Sequence, residues 1–443
     1  MKEKTISFFG GVHPTHGEDK ALTKDAVITP YVPKSVKVGM KHGLGPACAC
    51  TVAAGDVVEQ GQVIGQAGHF LSVDVHAPVS GKVTAVDETG VTIEVSECRL
   101  PDKDAEYNVN WVDISEYTKE QIIEAIKVGG LVGMGGAGFP AHVKYATKDP
   151  ITHVLINAAE CEPFLSCDDH TMMEYGMAFL NGVQLLKKAA GAEHAIICME
   201  DNKAHCKAHL DELLKGHEDV IQVLLLPTKY PQGGEKQLIA NAMHVEIPSG
   251  KLPANVGAMV SNVQTAKATA DMVLGGLASM SRVITVTGDV NTPSNFLCPL
   301  GTPISELVGL AGGIKNPNNK VILGGPMTGR CLGTHMTGEE ITDTLTKTSG
   351  GLIVLEDYEP VESNCIKCGA CASACPIGLA PAKIDAAYRK GNIALCQSLN
   401  AAECIACGCC SFSCPARREL TQTTVKARDA VKAKMREEAA KRG

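Results

Sequence analysis

The sequence predicts a multidomain chain of α/β and α+β class, and three patterns carry that prediction. Between residues 119 and 275, strand-like apolar runs alternate with helix-like periodicity, which argues for a parallel α/β sheet. On either side, at 1–118 and 276–355, short β-like runs are punctuated by Gly and Pro. At 356–423 eight cysteines fall in two equal runs, and 424–443 continues as a basic helix pattern. A chain of 443 residues suits several domains, and 44% hydrophobic with 20% charged residues can build real cores. A formal net charge of −8 argues against a nucleic-acid partner.

The N-terminal unit opens with charged residues and no apolar core over Met1–Phe9, so it does not read as a secretory leader. No uncharged apolar run in the chain reaches the length of a membrane span, so membrane association is expected through partners. Gly55–Gly65 reads as strand, turn, strand, and Val75–Val83 as a second hairpin of similar character. Two such halves resemble the barrel-sandwich hybrid of biotinyl and lipoyl carrier domains. In those carriers a lysine at the tip bears the cofactor. Here the tip, Phe70-Leu71-Ser72-Val73, has none, so a scaffold role is expected. His13, His16, His69 and His76 are assigned no ligand role.

Residues 120–127 then read as a helix with Ile122, Ile123 and Ile126 on one face, and 153–157 as a buried strand. A helix over 170–190, a strand over 195–199, a helix over 203–215 and a strand over 220–226 follow, then a loop and helix to Met243. Six glycines between 129 and 138 exclude a stable helix interior. Such a loop can wrap phosphates with backbone N–H groups. A helix starting near Pro140 adds positive potential, and Lys144 a point charge. The bland alternative is a glycine-rich packing turn, since the run is not the Rossmann G-x-G-x-x-G fingerprint after a strand, nor a P-loop. Asn157-Ala158-Ala159-Glu160-Cys161-Glu162-Pro163 leaves the first buried strand, where open α/β sheets place ligands. Its amide and carboxylates suit a flavin edge or a nicotinamide carboxamide.

Residues 282–333 read as a small β-grasp-like module, with strand-like runs at 282–288 and 321–326. The cysteine runs are Cys365, Cys368, Cys371, Cys375, Pro376 and Cys404, Cys407, Cys410, Cys414, Pro415. Each is C-x2-C-x2-C-x3-C-P, the ligand run of two-cluster bacterial ferredoxins. Three thiolates hold one [4Fe-4S] cluster and the fourth reaches the other. Cys365, Cys368 and Cys371 are thus expected to work with Cys414, and Cys404, Cys407 and Cys410 with Cys375. Zinc prefers pairs of C-x2-C, and disulfides need an oxidising compartment to which nothing points. The remaining cysteines of the 19, Cys161, Cys167 and Cys206 among them, read as reduced cytoplasmic thiols. Cys396 and Cys409 fit no ligand spacing. The terminal helix pattern sets Lys426, Arg428, Lys432, Lys434, Arg436, Lys441 and Arg442 against Asp429, Glu437 and Glu438. It reads as a solvated helix, with docking on a partner or anionic membrane as the sharper alternative.

Four segments then carry a resemblance: Gly133–Pro140 with Lys144, Asn157–Pro163, Tyr230-Pro231-Gln232-Gly233-Gly234-Glu235 and Ser261–Thr265. They occur in the order seen in the FMN- and NADH-binding 51-kDa subunit of respiratory complex I. The module at 276–355 is similar to the soluble-ligand-binding β-grasp domain of that family. With Phe8–Pro14 in front and two cysteine runs behind, the chain resembles the C-subunit family of the Rnf ion-translocating electron-transport complex. The resemblance implies that Gly133, Gly135, Gly136, Gly138 and Lys144 hold the FMN phosphate side. Asn157, Glu160, Tyr230, Gly233, Gly234, Asn262 and Thr265 would line the flavin. Phe139, Glu162 and Glu235 would contact the dinucleotide, the two carboxylates being the candidate catalytic groups. The chain departs from complex I at Ala159 and Gly234, where acids are usual.

The implied function is electron exchange between NAD(H) and ferredoxin through FMN and two [4Fe-4S] clusters, because a flavin alone joins two-electron to one-electron carriers. Implied partners are an iron–sulfur subunit and integral membrane subunits, ferredoxin indirectly, at the cytoplasmic side of the cell membrane as a peripheral subunit. A cobalamin reductase built from similar modules is the nearest rival, but its glycine loop lies near the N-terminus. A non-enzymatic electron-wire scaffold is the rival from another class. Lys144, Glu162 and Glu235 stand against it.

Overall fold

The computed structural model describes residues 7–17, 20–358 and 361–441. The first six residues of the charged start, and Arg442 of the terminal helix pattern, lie outside the described residues.

The central unit is a four-stranded, all-parallel sheet in the order Gln222–Leu226, His194–Glu200, His153–Ala158, Ala258–Asn262. Its strands are apolar on both faces because both faces are covered. Val154, Ile156, Ala195, Ile197 and Met199 pack on one side against helices Lys119–Val128, Gly176–Ala190, Ala204–Leu213 and Val263–Gly275. Leu155, Ile196, Cys198 and Val260, one residue out of phase, pack on the other side with Leu238 and Ile239 of helix Glu235–Met243. Thr118 starts the first helix with a reciprocal capping box to Gln121. The helix expected over 170–190 is two, Cys167–Glu174 and Gly176–Ala190, separated at Tyr175. The strand Ala258–Asn262 and the helix after it had shown in the sequence only as a motif. That helix is covered on most sides, so its alternation is blurred by Lys267, Thr269 and Asp271, all buried.

The N-terminal β unit is a sandwich of two small sheets, one of Ser35–Val38, Gly90–Glu97, Ser80–Asp87 and Val57–Val58, the other of Ala49–Cys50, Val63–Gln66 and Val75–His76. Val36, Val38, Ile64, Val83, Val91 and Ile93 fill the space between. The two expected hairpins are not hairpins. Val57–Val58 and Val63–Gln66 lie in opposite sheets, as do Val75–His76 and Ser80–Asp87. Each Gly-containing turn is a corner between layers, which alternation alone does not distinguish from a hairpin.

A six-stranded sheet forms the second β unit: Ile28–Pro30, Ser294–Pro299, Ser281–Gly288, Gly351–Glu356, Asn319–Leu323, Arg330–Thr334. Its edge strand Ile28–Pro30 comes from the segment assigned by sequence to the N-terminal unit and pairs in parallel with Asn295–Leu297. Tyr107, also from that segment, packs in the core of the central unit. The terminal helix likewise begins earlier than expected, at Leu420. It buries Leu420, Thr423, Thr424, Ala427 and Val431 against the cysteine module. Its apolar face is thus occupied within the chain. Among the described residues no helix is long and apolar enough to cross a membrane.

Candidate functional site

Strand carboxyl ends converge on two adjoining cavities. The first, of ≈ 320 Å³, lies under the glycine loop. Val132 bridges Pro140, and the Gly133 N–H donates to the Phe139 carbonyl at 2.9 Å, closing the loop on itself. The Met134 N–H donates to Thr265 Oγ1 at 2.9 Å, tying the loop to helix Val263–Gly275. The Gly135–Ala137 backbone is left lining the cavity, opposite Asn157 and Gly233. Glycine is needed there: a Cβ on Gly135 would stand 2.9 Å from Asn262 Nδ2, while Gly136 opens on free space. Helix Ala141–Tyr145 does start after Pro140 but is only five residues long, so its contribution is local N–H groups rather than a large dipole.

Lys144 and Glu235 meet across the mouth of this cavity. Lys144 Nζ lies 3.3 Å from Glu235 Oε1 and donates to the Val260 carbonyl at 2.6 Å. The resemblance assigns them to different ligands. Here they are one half-exposed ion pair, poised for exchange with an incoming anionic group. Phe139, partly exposed, and Gly138 complete the rim.

The second cavity, of ≈ 690 Å³, shares Gly135, Asn157 and Asn262 with the first. It extends past Glu160 and Glu162 to Ile405 and Ala406 of the second cysteine run. Asn157 Nδ2 donates to the Gly233 carbonyl at 2.8 Å. Glu160 has φ +44 and accepts from the Asp168 N–H at 2.7 Å and the Asp169 N–H at 3.3 Å, at the start of helix Cys167–Glu174. Two buried lysines that the sequence did not single out hold this strand exit. Lys203 Nζ donates to the Ala159 carbonyl at 2.7 Å, and Lys20 Nζ to those of Glu160 and Glu162 at 2.8 and 2.5 Å. Asp168 in turn accepts from Asn262 Nδ2 at 2.7 Å. Glu162 accepts from the Met327 N–H at 3.1 Å and from the Thr328 hydroxyl, so its carboxylate is clamped by the second β unit.

Burial, and next the neighbouring Asp168, push the Glu160 carboxyl up to about 8. Between its ordinary 4.5 and that value, the folded chain keeps a proton that the unfolded chain has lost. Unfolding then releases a proton, so this group makes stability fall as pH rises through that window and level off above it. Glu160→Gln is expected to flatten the decline of the unfolding midpoint between about pH 5 and 8. An unchanged slope in a thermal-melt series would assign the proton elsewhere.

Tyr230 and Gly234 depart from expectation, since neither lines these cavities. Tyr230 is buried, exchanges both backbone hydrogen bonds with Val12 at 2.8 and 2.9 Å, and donates its hydroxyl to the Cys407 carbonyl at 2.8 Å. Gly234 caps helix Glu235–Met243. The Gly11 N–H donates to the Ala374 carbonyl at 2.9 Å, so Gly10–Val12 is laced between the α/β unit and the cysteine module.

The two cysteine runs wrap alike. Lys367 and Ala406, before the second cysteine of each run, have φ 58 and 59, and the following Gly369 and Gly408 have φ 81 and 86. Short helices Ala370–Ser373 and Cys409–Phe412 follow in register. Cys375 shares a small, nearly wholly apolar cavity with Cys404, Cys407 and Cys410, walled by Ile377, Leu379 and Ile405. Cys414 packs with Cys371 around Leu420, while Cys365 and Cys368 are exposed. The set of Cys404, Cys407, Cys410 and Cys375 fits an iron–sulfur cluster, with thiols crossed between the runs in apolar surroundings. Cys396 is fully buried in apolar packing, while Cys409, also buried, lines the cavity of Cys375, Cys404, Cys407 and Cys410.

The chain matches the RnfC barrel sandwich hybrid domain over residues 6–98, the Nuo51 FMN-binding domain over 126–271, the SLBB domain over 283–330 and a 4Fe-4S binding domain over 358–379. It is 36% identical over 423 residues to the C subunit of the Na(+)-translocating ferredoxin:NAD(+) oxidoreductase complex of Acetobacterium woodii, covering 91% of this chain and 92% of that one. It is 34% identical over 393 residues to the C subunit of the proton-translocating ferredoxin:NAD(+) oxidoreductase complex of Clostridium ljungdahlii, covering 85% and 83%. The C subunit of the ion-translocating oxidoreductase complex of Vibrio cholerae is 33% identical over 417 residues, 90% of this chain and 52% of that one. Among solved structures, an NAD+-reducing [NiFe]-hydrogenase in the H2-reduced state shares the fold at TM-score 0.51 and 20% identity, over 70% of this chain and 61% of that one.

Proposed function

The chain belongs to the C-subunit family of ion-translocating ferredoxin:NAD(+) oxidoreductase complexes, and from that membership we propose that it passes electrons between NAD(H) and its partner subunits by way of FMN and two [4Fe-4S] clusters. The observation that carries this reading is the continuity of the two cavities, from the glycine loop to Ile405 and Ala406 between Cys404 and Cys407. FMN, when bound, accepts a hydride's two electrons and delivers them singly.

The Gly135–Ala137 backbone with Lys144 takes the phosphate end, and Asn157, Gly233 and Asn262 take the ring side. Glu162, clamped by Met327 and Thr328, borders the second cavity, and Glu235, beside Lys144, the mouth of the first; both are assigned to the dinucleotide. The cysteine set Cys404, Cys407, Cys410 and Cys375 then stands next to the flavin. The set Cys365, Cys368, Cys371 and Cys414, with its first two members at the surface, faces an iron–sulfur partner. Integral membrane subunits couple the transfer to ion movement, ferredoxin enters indirectly, and the subunit sits peripherally on the cytoplasmic side.

Anaerobically purified, cluster-reconstituted protein is expected to bind FMN and to show NADH-dependent reduction of the clusters by EPR. Absence of both flavin and NADH–acceptor activity sinks the reading. Lys144→Ala is expected to weaken flavin retention, and Glu235→Gln to raise the KM for NADH, each by roughly tenfold for about 1.4 kcal/mol of lost interaction. Unchanged behaviour in both would favour the electron-wire scaffold.

A further inference from the structure

We propose that Asp169, His205 and Cys206 form a zinc site in the α/β unit, fastening helix Cys167–Glu174 to helix Ala204–Leu213. One ligand atom from each of these side chains lies within 4.8 Å of the others. His205 Nε2 is 3.0 Å and Cys206 Sγ is 3.4 Å from the same oxygen, Asp169 Oδ1. Tetrahedral zinc with ordinary bond lengths has N···O edges of about 3.3 Å and S···O edges of about 3.5 Å. Two of the three donor edges therefore already stand close to tetrahedral values, and the third lies within 4.8 Å.

The donor types suit zinc rather than a hard cation: one thiol, one imidazole, one carboxylate. Cys206 and Asp169 are buried while His205 is half-exposed, giving an entry path and a fourth position for water. On binding, a Zn–S bond replaces the Cys206 S–H bond, and the thiol proton leaves to solvent past His205. The support behind the donors is in place as well. Asp169 sits in the first turn of its helix, and its own N–H and that of Asp168 hold the Glu160 carboxylate at the cavity wall. Zinc at Asp169 would thus stiffen the helix start that fixes Glu160, although none of the three ligands lines either cavity.

The test is zinc X-ray absorption on the full chain, anaerobically purified with its clusters in place and titrated with zinc alone. One zinc per chain is expected, with a single sulfur at about 2.3 Å and nitrogen or oxygen neighbours at about 2.0–2.1 Å. Cys206→Ser is expected to remove the sulfur shell. His205→Gln, at a half-exposed position that endangers no packing, is expected to lower zinc affinity by at least about tenfold. Zinc bound by several sulfurs would place it in the cysteine runs and overturn the proposal. So would no bound zinc in the unaltered chain, or equal affinity in His205→Gln, either of which leaves Asp169 and His205 as an ion pair only.

Discussion

Replacing Cys375 with serine is expected to destroy the cluster of the other cysteine run and leave that of its own. Cys375 belongs to the first run in sequence, yet it shares its apolar cavity with Cys404, Cys407 and Cys410. Removing it takes one of four thiolates from that cluster, and Cys409, which also lines the cavity, does not fit the ligand spacing. Iron content should fall by about half, from two clusters to one. On the proposed path the lost cluster lies between the flavin and the surviving one, so NADH-dependent reduction of the survivor should stop as well. Flavin content should not change. Cys414→Ser is expected to do the converse, sparing the inner cluster and its reduction by NADH while cutting transfer to the partner. EPR of the two variants separates them. If Cys375→Ser instead spares the Cys404–Cys407–Cys410 cluster, the crossed ligation is wrong.

Gly43→Ala is expected to release flavin although Gly43 itself lines neither cavity. Gly43 has φ +85, and a Cβ there would stand 1.9 Å from the Gly138 carbonyl oxygen, a backbone atom of the glycine loop. Gly138, at φ +71, approaches Gly43 closely from its own side, its added Cβ meeting the Gly43 Cα at 2.7 Å. The left-handed backbone costs an alanine about 1–2 kcal/mol. Forcing two backbones apart adds about 1–3 kcal/mol. The glycine loop can relieve this only by moving off the N-terminal sandwich, out of the shape that lines the cavity. Flavin affinity should fall by about a hundredfold, the equivalent of about 2.7 kcal/mol. Gly55→Ala is the matched control. It shares the N-terminal unit and a positive φ of +101, but meets nothing within 4 Å. It should cost stability locally and leave flavin titrations unchanged. Equal flavin loss in both variants would mean a general weakening of the sandwich rather than contact with the loop.

The glycine run therefore serves both ends, ligand approach and packing, that stand as alternatives in the sequence. Gly135 and Gly136 line the cavity. Gly138 allows close packing on Gly43, and Gly130, at φ +63, allows the same against the Asp74 carbonyl. Composition could not divide these roles, because a missing Cβ serves ligand approach and backbone packing equally. Lys20 and Lys203 were illegible for another reason. Their partners are main-chain carbonyls 140 and 44 residues away, and a carbonyl has no signature in sequence. Resemblance alone puts Tyr230 at the flavin, but its hydroxyl reaches the Cys407 carbonyl instead.

By itself the sequence determined what depends on local spacing. The cysteine repeat defines two thiolate sets, the alternation of apolar runs gives a parallel sheet covered on both faces, and the glycine loop and strand-exit carboxylates fall where cavities open at the end of that sheet. Each of these follows from residues a few positions apart, where chain geometry leaves little choice. Only the tertiary structure decided how the units share residues. It put Ile28–Pro30 in the second β unit's sheet, threaded Gly10–Val12 between the α/β unit and the cysteine module, and set Lys144 against Glu235. Such contacts join segments tens to hundreds of residues apart, and their energy comes from burial and hydrogen bonds made after the local elements exist.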